Sequence, residues 1–254
     1  MTPLQIAFVP LVRTTFDVAF ANEMIAAARG QLIGAGYELV GPEDPVTSLV
    51  EAERVRDELI DAAYDLLLIF QATFADSTLV TALAEAAQAP IFLWAMPEPW
   101  TGFRLRLNSL CGINLAGHAL GLHGVKYAYG YGSPGEPSIL ASVQTLASVG
   151  ALLKKLRSTR FGVVGEHPAG MDSCHLDPTT LNDTFGVTVE MIPLAEVFQR
   201  ARAVSDARVR QVRQELDHSL DNLADLDPGP LKGTLSVYCA LHDLAVEKDL
   251  VGLA

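Results

Sequence analysis

The chain has 254 residues, and 18 Lys and Arg against 30 Asp and Glu give it a formal net charge of −12. Half of the residues are apolar and the mean hydropathy is +0.26, which is ample material for a packed core and excludes a disordered chain. The negative balance also argues against tracking nucleic-acid phosphates or docking on an anionic membrane, because both need a basic face.

In chain order, IAFVPLV (Ile6–Val12) reads as a buried strand, followed by a helix from Phe20 that Gly34 and Gly36 end. YELVGP (Tyr37–Pro42) is a second strand. Ser48, with Glu51 three residues on, predicts a capping box at the head of the next helix. DLLLIFQA (Asp65–Ala72) is a continuous apolar run of the kind buried on both faces of a parallel sheet. A helix over Ser77–Ala87, a strand over Pro90–Pro97, a long polar segment, a helix near Asn114–Leu122, the strand VKYAYGYG (Val125–Gly132) and a helix over Pro137–Leu156 follow.

The pattern restarts at RFGVVGEHP (Arg160–Pro168), with a strand in FGVTVEMIP (Phe185–Pro193) and helices over Leu194–Ala203 and Ser205–Leu223. DLDPGPLKG (Asp225–Gly233) is expected to break the chain. A last helix leads into LVGLA, which reads as the opening of a strand without a partner. Strands alternating with helices imply right-handed crossovers. The expectation is an α/β protein of two doubly wound, Rossmann-like parallel-sheet domains, over 1–159 and 160–254. The second is expected to be incomplete, and its bare strand is expected to favour self-association.

No aliphatic run approaches the roughly 20 residues of a membrane span, and MTPLQIAFVPLVR lacks the basic start of a secretory signal. Three cysteines (Cys111, Cys174, Cys239) without a CxxC fit a reducing, cytoplasmic compartment. GxGxxG, the phosphate-binding GxxxxGK[ST], GxSxG and HExxH are all missing, and His118 and His123 lie five apart rather than four.

Ligands of open α/β sheets collect at the carboxyl ends of the strands. Arg13 follows the first strand, and Gln71, Thr73 and Asp76 follow or end the third. Glu98, Trp100, Arg104, Arg106, Asn108, Ser109 and Asn114 follow the fourth, and Glu166 and His167 follow RFGVVG. Amides, hydroxyls, arginines and an indole on one edge suit a polyhydroxylated ligand. Each residue also has a plainer role open to it. Arg13 can be a solvated surface charge, Trp94 core packing, and His118 a helix-face residue satisfied by backbone. Asn108, Ser109 and Asn114 can simply cap the helix near Asn114. Glu166 and His167 resemble an acid–base couple, although neighbours in a turn more often point apart. Glu98 is the expected counter-ion of a buried arginine.

QATFAD (Gln71–Asp76), LWAMPEP (Leu93–Pro99), RLNSLCGINLAGHAL (Arg106–Leu120) and VGEHPAGMDSC (Val164–Cys174), with FVPLVRTTFDV (Phe8–Val18), together resemble the amino-terminal part of the L-fucose isomerase-like family of sugar isomerases. The resemblance implies aldose–ketose interconversion, homo-oligomers, and a three-domain enzyme whose carboxy-terminal domain holds Mn²⁺ or a similar ion through two carboxylates and a histidine. It implies substrate-binding roles for Arg13, Gln71, Trp94, Glu98, Arg106, Asn108, Ser109, Asn114 and His118. The chain is expected to end before the metal ligands, so no ion is expected on it and it is expected to be inactive alone. A non-catalytic two-domain sugar-binding module, or a structural subunit with no ligand, are the competing readings.

Overall fold

A computed structural model describes residues 3–85, 87–102, 104–220 and 222–254. Ala86, in the expected helix over Ser77–Ala87, and Asp221, in that over Ser205–Leu223, fall outside the described residues. The chain forms two compact units that divide after Lys154, inside a helix.

Unit 1 alternates β1 (Gln5–Leu11), α1 (Val18–Gly34), β2 (Glu38–Val40), α2 (Leu49–Ile60), β3 (Leu66–Gln71), α3 (Ser77–Ala84), β4 (Ile91–Ala95), α4 (Ser109–Leu122), β5 (Ala128–Tyr131) and α5 (Pro137–Arg157). The five strands are parallel, in the order β2-β1-β3-β4-β5. Strand order therefore reverses between β1 and β3, the switch point where doubly wound folds bind ligands. Leu11, Gln71, Ala95 and Tyr131 lie in register across four strands, so the following loops leave from one edge.

Alternating side chains split the core in two. Ala21, Ile25, Ala28 and Leu32 of α1 and Ile139, Val143 and Ala147 of α5 pack with Phe8, Phe70, Phe92 and Trp94 on one face. Helices α2, α3 and α4 pack with Val9, Leu67, Ile69 and Leu93 on the other. Strands buried on both faces read as unbroken apolar runs, which is why LLLIF was legible. The Ser48–Glu51 capping box at α2 forms as expected. Gly150 has no room for a side chain: a Cβ there would stand 1.7 Å from the Asp65 carbonyl oxygen.

One expectation for unit 1 needs correction. The segment NSLCGIN is not a rim loop, because α4 starts at Ser109, five residues earlier than expected, and buries Ser109, Gly112 and Ile113. Helix α5, though no unbroken aliphatic run, is long and apolar enough to cross a membrane by length and composition. Its Ile139, Val143, Ala147 and Gly150 are buried, three of them in the unit 1 core.

Unit 2 holds β6 (Arg160–Val164), α6 (Pro178–Phe185), β7 (Thr188–Ile192), α7 (Leu194–Ala203), α8 (Asp206–Asp217), α9 (Pro228–Glu247) and β8 (Gly252–Leu253). Its sheet is parallel, in the order β7-β6-β8. The PGP segment does not break the chain: Asp227 caps α9, with Pro228 at its first position, where a missing N–H costs nothing. LVGLA is not left bare either, since Gly252 and Leu253 pair with Phe161 and Gly162.

Candidate functional site

The carboxyl edge of the unit 1 sheet gathers three loops, β1–α1, β3–α3 and β4–α4. Arg13 leaves β1 with its backbone N–H on Thr73 Oγ1 at 2.8 Å and Nη1 on Asp76 Oδ1 at 3.0 Å. Its guanidinium lies 5.8 Å from the Phe74 ring centre, within cation–π range. Asp17 caps α1, its Oδ1 accepting from the Phe20 N–H at 3.0 Å. Asp17 Oδ2 accepts two bonds from Arg106, from Nε at 2.9 Å and Nη2 at 2.7 Å. The Phe20 N–H, and then Arg106, hold the Asp17 carboxyl below the usual carboxylate value. Arg106 also lies 4.2 Å from the Phe20 ring. Arg104 donates Nη2 to the Thr15 carbonyl at 2.7 Å and lies over Phe16 at 5.8 Å. The Phe16 and Phe74 ring centres are 6.1 Å apart, so aromatic faces link Arg13 and Arg104.

The β4–α4 loop is tied down behind this rim. Glu98 accepts from the backbone N–H groups of Leu107 at 2.8 Å and Asn108 at 2.6 Å, and the Phe74 N–H donates to the Leu107 carbonyl at 2.7 Å. Asn108 turns left-handed at φ 55°, a conformation asparagine tolerates, and its side chain makes no capping bond. Ser109 is buried, donating Oγ to the Gln71 carbonyl and accepting from the Met96 N–H at 3.0 Å. It thereby stitches β3 and β4 to the first turn of α4.

Of the nine residues expected to bind substrate, Arg13, Glu98, Arg106 and Asn108 share this edge. The counter-ion of Arg106 is Asp17, not Glu98. Trp94 is not a stacking platform. It is fully buried against Phe70, ring centres 4.6 Å apart, with Nε1 donating to the Gly132 carbonyl at 2.8 Å. Gln71 is also fully buried, its carboxamide packed so close to α4 that a Cβ on Gly112 would stand 2.8 Å from Oε1. Ser109 is structural. Asn114 and His118 are exposed on α4, which runs away from the edge, leaving His118 about 13 Å along the helix axis from Ser109. Trp100 stays available in its loop, 73% exposed. Glu166 and His167 follow β6, in the other sheet, and the His167 ring stands edge-on to His175 at 5.7 Å.

The sequence reading missed Asp17 and the three phenyl rings. Asp17 carried a signal, since an Asp just before an apolar helix is a favoured N-cap. The rings carried none. Among the described residues, no three His, Cys, Asp or Glu side chains gather in a way that could hold a metal ion. A groove of about 260 Å³ between α8 and α9, lined by Asp206, Arg210, Arg213 and Lys232 over Leu231 and Leu235, lacks the amides and aromatic faces of the rim.

Residues 7–157 match a family described as fucose/sulfoquinovose isomerase, N-terminal domain. The chain belongs to that family. It is 31% identical over 199 residues to a sulfoquinovose isomerase of Priestia aryabhattai, covering 78% of this chain and 45% of that protein. To a sulfoquinovose isomerase of Alkalicoccus urumqiensis it is 29% identical over 251 residues, 99% of this chain and 56% of that protein. The chain thus spans about half the length of the curated relatives it matches. The family match covers all of the rim, from Arg13 to Ser109.

Proposed function

We propose that the chain serves an aldose–ketose isomerase acting on a sulfonated hexose of the sulfoquinovose type, and that the carboxyl edge of unit 1 holds the sugar. The observation that carries this reading is the convergence of Arg13, Arg104, Arg106, Glu98 and Asn108 on one edge within the matched family segment. Moving a carbonyl between C1 and C2 requires an open-chain sugar held in one conformation while a proton is relocated. Fixed guanidinium forks and an amide on a buried sheet supply that holding. Phe16, Phe20 and Phe74 keep the forks oriented, so binding immobilises few further side chains. Work in the cytoplasm as a homo-oligomer completes the reading, with three free thiols in keeping with a reducing compartment.

Calorimetric titration of the chain with sulfoquinovose tests it. The reading expects saturable binding that Arg13→Ala weakens about tenfold, the loss of one charge-assisted contact. No binding, or binding that Arg13→Ala leaves unchanged, would overturn it. Binding accompanied by ketose formation in the same sample would place the full reaction on this chain.

A further inference from the structure

Three guanidiniums stand on the carboxyl edge, each over a phenyl ring, but their charges are not equally met. Arg13 has Asp76 at 3.0 Å and Arg106 has Asp17 at 2.7 Å. Glu98, the remaining carboxylate of the β4–α4 loop, is engaged by two backbone N–H groups. Arg104 has only the Thr15 carbonyl, and no carboxylate pairs with it among the described residues. The edge therefore sets three guanidiniums against three carboxylates, and Arg104 is the guanidinium that no carboxylate meets among the described residues.

That guanidinium is also prepared for a ligand. The Phe16 face and the Thr15 carbonyl hold its plane, and one of its five N–H donors is engaged, which leaves an edge for a two-point bond to an oxyanion. Arg106 already spends two donors on Asp17, and Arg13 spends one on Asp76. An anion arriving at the rim meets its free donor at Arg104.

We infer that Arg104 receives the anionic group of the substrate, the sulfonate of a sulfonated hexose, and sets the preference for charged over uncharged sugars. The inference rests on the reading that the sugar binds this edge. Arg13, Arg106 and Asn108 then face the hydroxyls, which every hexose has, and Arg104 faces the one group that distinguishes this substrate class.

Calorimetry on the wild type, Arg104→Gln and Arg104→Lys, each with sulfoquinovose and with 6-deoxyglucose, tests it. Arg104→Gln should weaken sulfoquinovose binding about ten- to hundredfold and leave 6-deoxyglucose within about twofold. Arg104→Lys, which keeps the charge and loses the fork, should fall between. Equal weakening of both sugars, or no change in either, would overturn the role of Arg104 while the rim reading stands. A wild type that binds neither sugar would overturn the rim reading and this inference with it.

Discussion

The two sheets use the same strand–helix alternation but are buried to different depths. In unit 1, β3 and β4 are buried throughout and β1 in all but its first residue, with helices closing both faces. In unit 2, β6 and β7 each hold one buried residue, Gly162 and Ile192, and the core is a pair of small clusters. The difference teaches where a precise site can be built. Leu11, Gln71 and Ala95 end in register on strands that cannot shift without opening a core, so the loops after them are fixed to each other. Unit 2 has no comparable foundation among its described residues, and its longest loop follows β6, a half-exposed strand.

The largest effects should come from cutting the two cores. Trp94→Ala removes a fully buried indole and should cost about 3–5 kcal/mol, unfolding the strands that carry the rim. Leu244→Ala removes a fully buried leucine of unit 2 and should cost about 2–5 kcal/mol. Urea unfolding followed by circular dichroism, with hydrogen exchange to localise each loss, reads both. Exchange confined to unit 2 in Leu244→Ala supports the contrast. Simultaneous loss in β1, β3 and β4 would mean the two cores share one cooperative transition, and the contrast would fail.

A smaller effect sharpens the rim itself. The folded pKa of Asp17 lies below the ordinary carboxylate value, because the Phe20 N–H and then Arg106 favour its charged form. Its contribution is therefore present above the unfolded value, near pH 4, and is lost as the pH falls through the folded one. Asp17→Asn should flatten the acid limb of the stability curve below about pH 4 and leave its slope near neutrality unchanged. An acid limb identical to that of the wild type would show that neither the Phe20 N–H nor Arg106 holds the Asp17 carboxylate in solution.

Much of the fold was legible because its signals are local. LLLIF has the composition of a strand buried on both faces, and Ser48 with Glu51 forms the capping box its spacing predicts. The start of α4 was not legible: its first residues are small and polar, and the partners that bury Ser109 are at Gln71 and Met96. Helix α6 was missed because PTTLNDTF is short and mostly polar. The Pro-Gly-Pro segment was misread because prolines that break a helix interior also open a helix after an Asp cap. Trp94 had core packing as its plainer reading, and its bond to Gly132 settles that role.

The candidate site was legible as a list of strand-end residues and not as a set of pairs. Arg106 and Asp17 are 89 residues apart in sequence, as are Arg104 and Thr15, and nothing in either segment names its partner. Gln71 shows the converse. A polar residue ending a buried strand reads as a ligand contact, yet tertiary packing places it under α4 rather than on the rim.

The claim that the unit 1 rim holds the sugar is tested most directly by backbone amide chemical shifts of the chain titrated with sulfoquinovose. The account predicts saturable shifts concentrated at residues 13–17, 73–76, 98–102 and 104–108, which form the edge where Arg13, Arg104 and Arg106 meet. Shifts confined to the α8–α9 groove of unit 2, or none at saturating sugar, would contradict it.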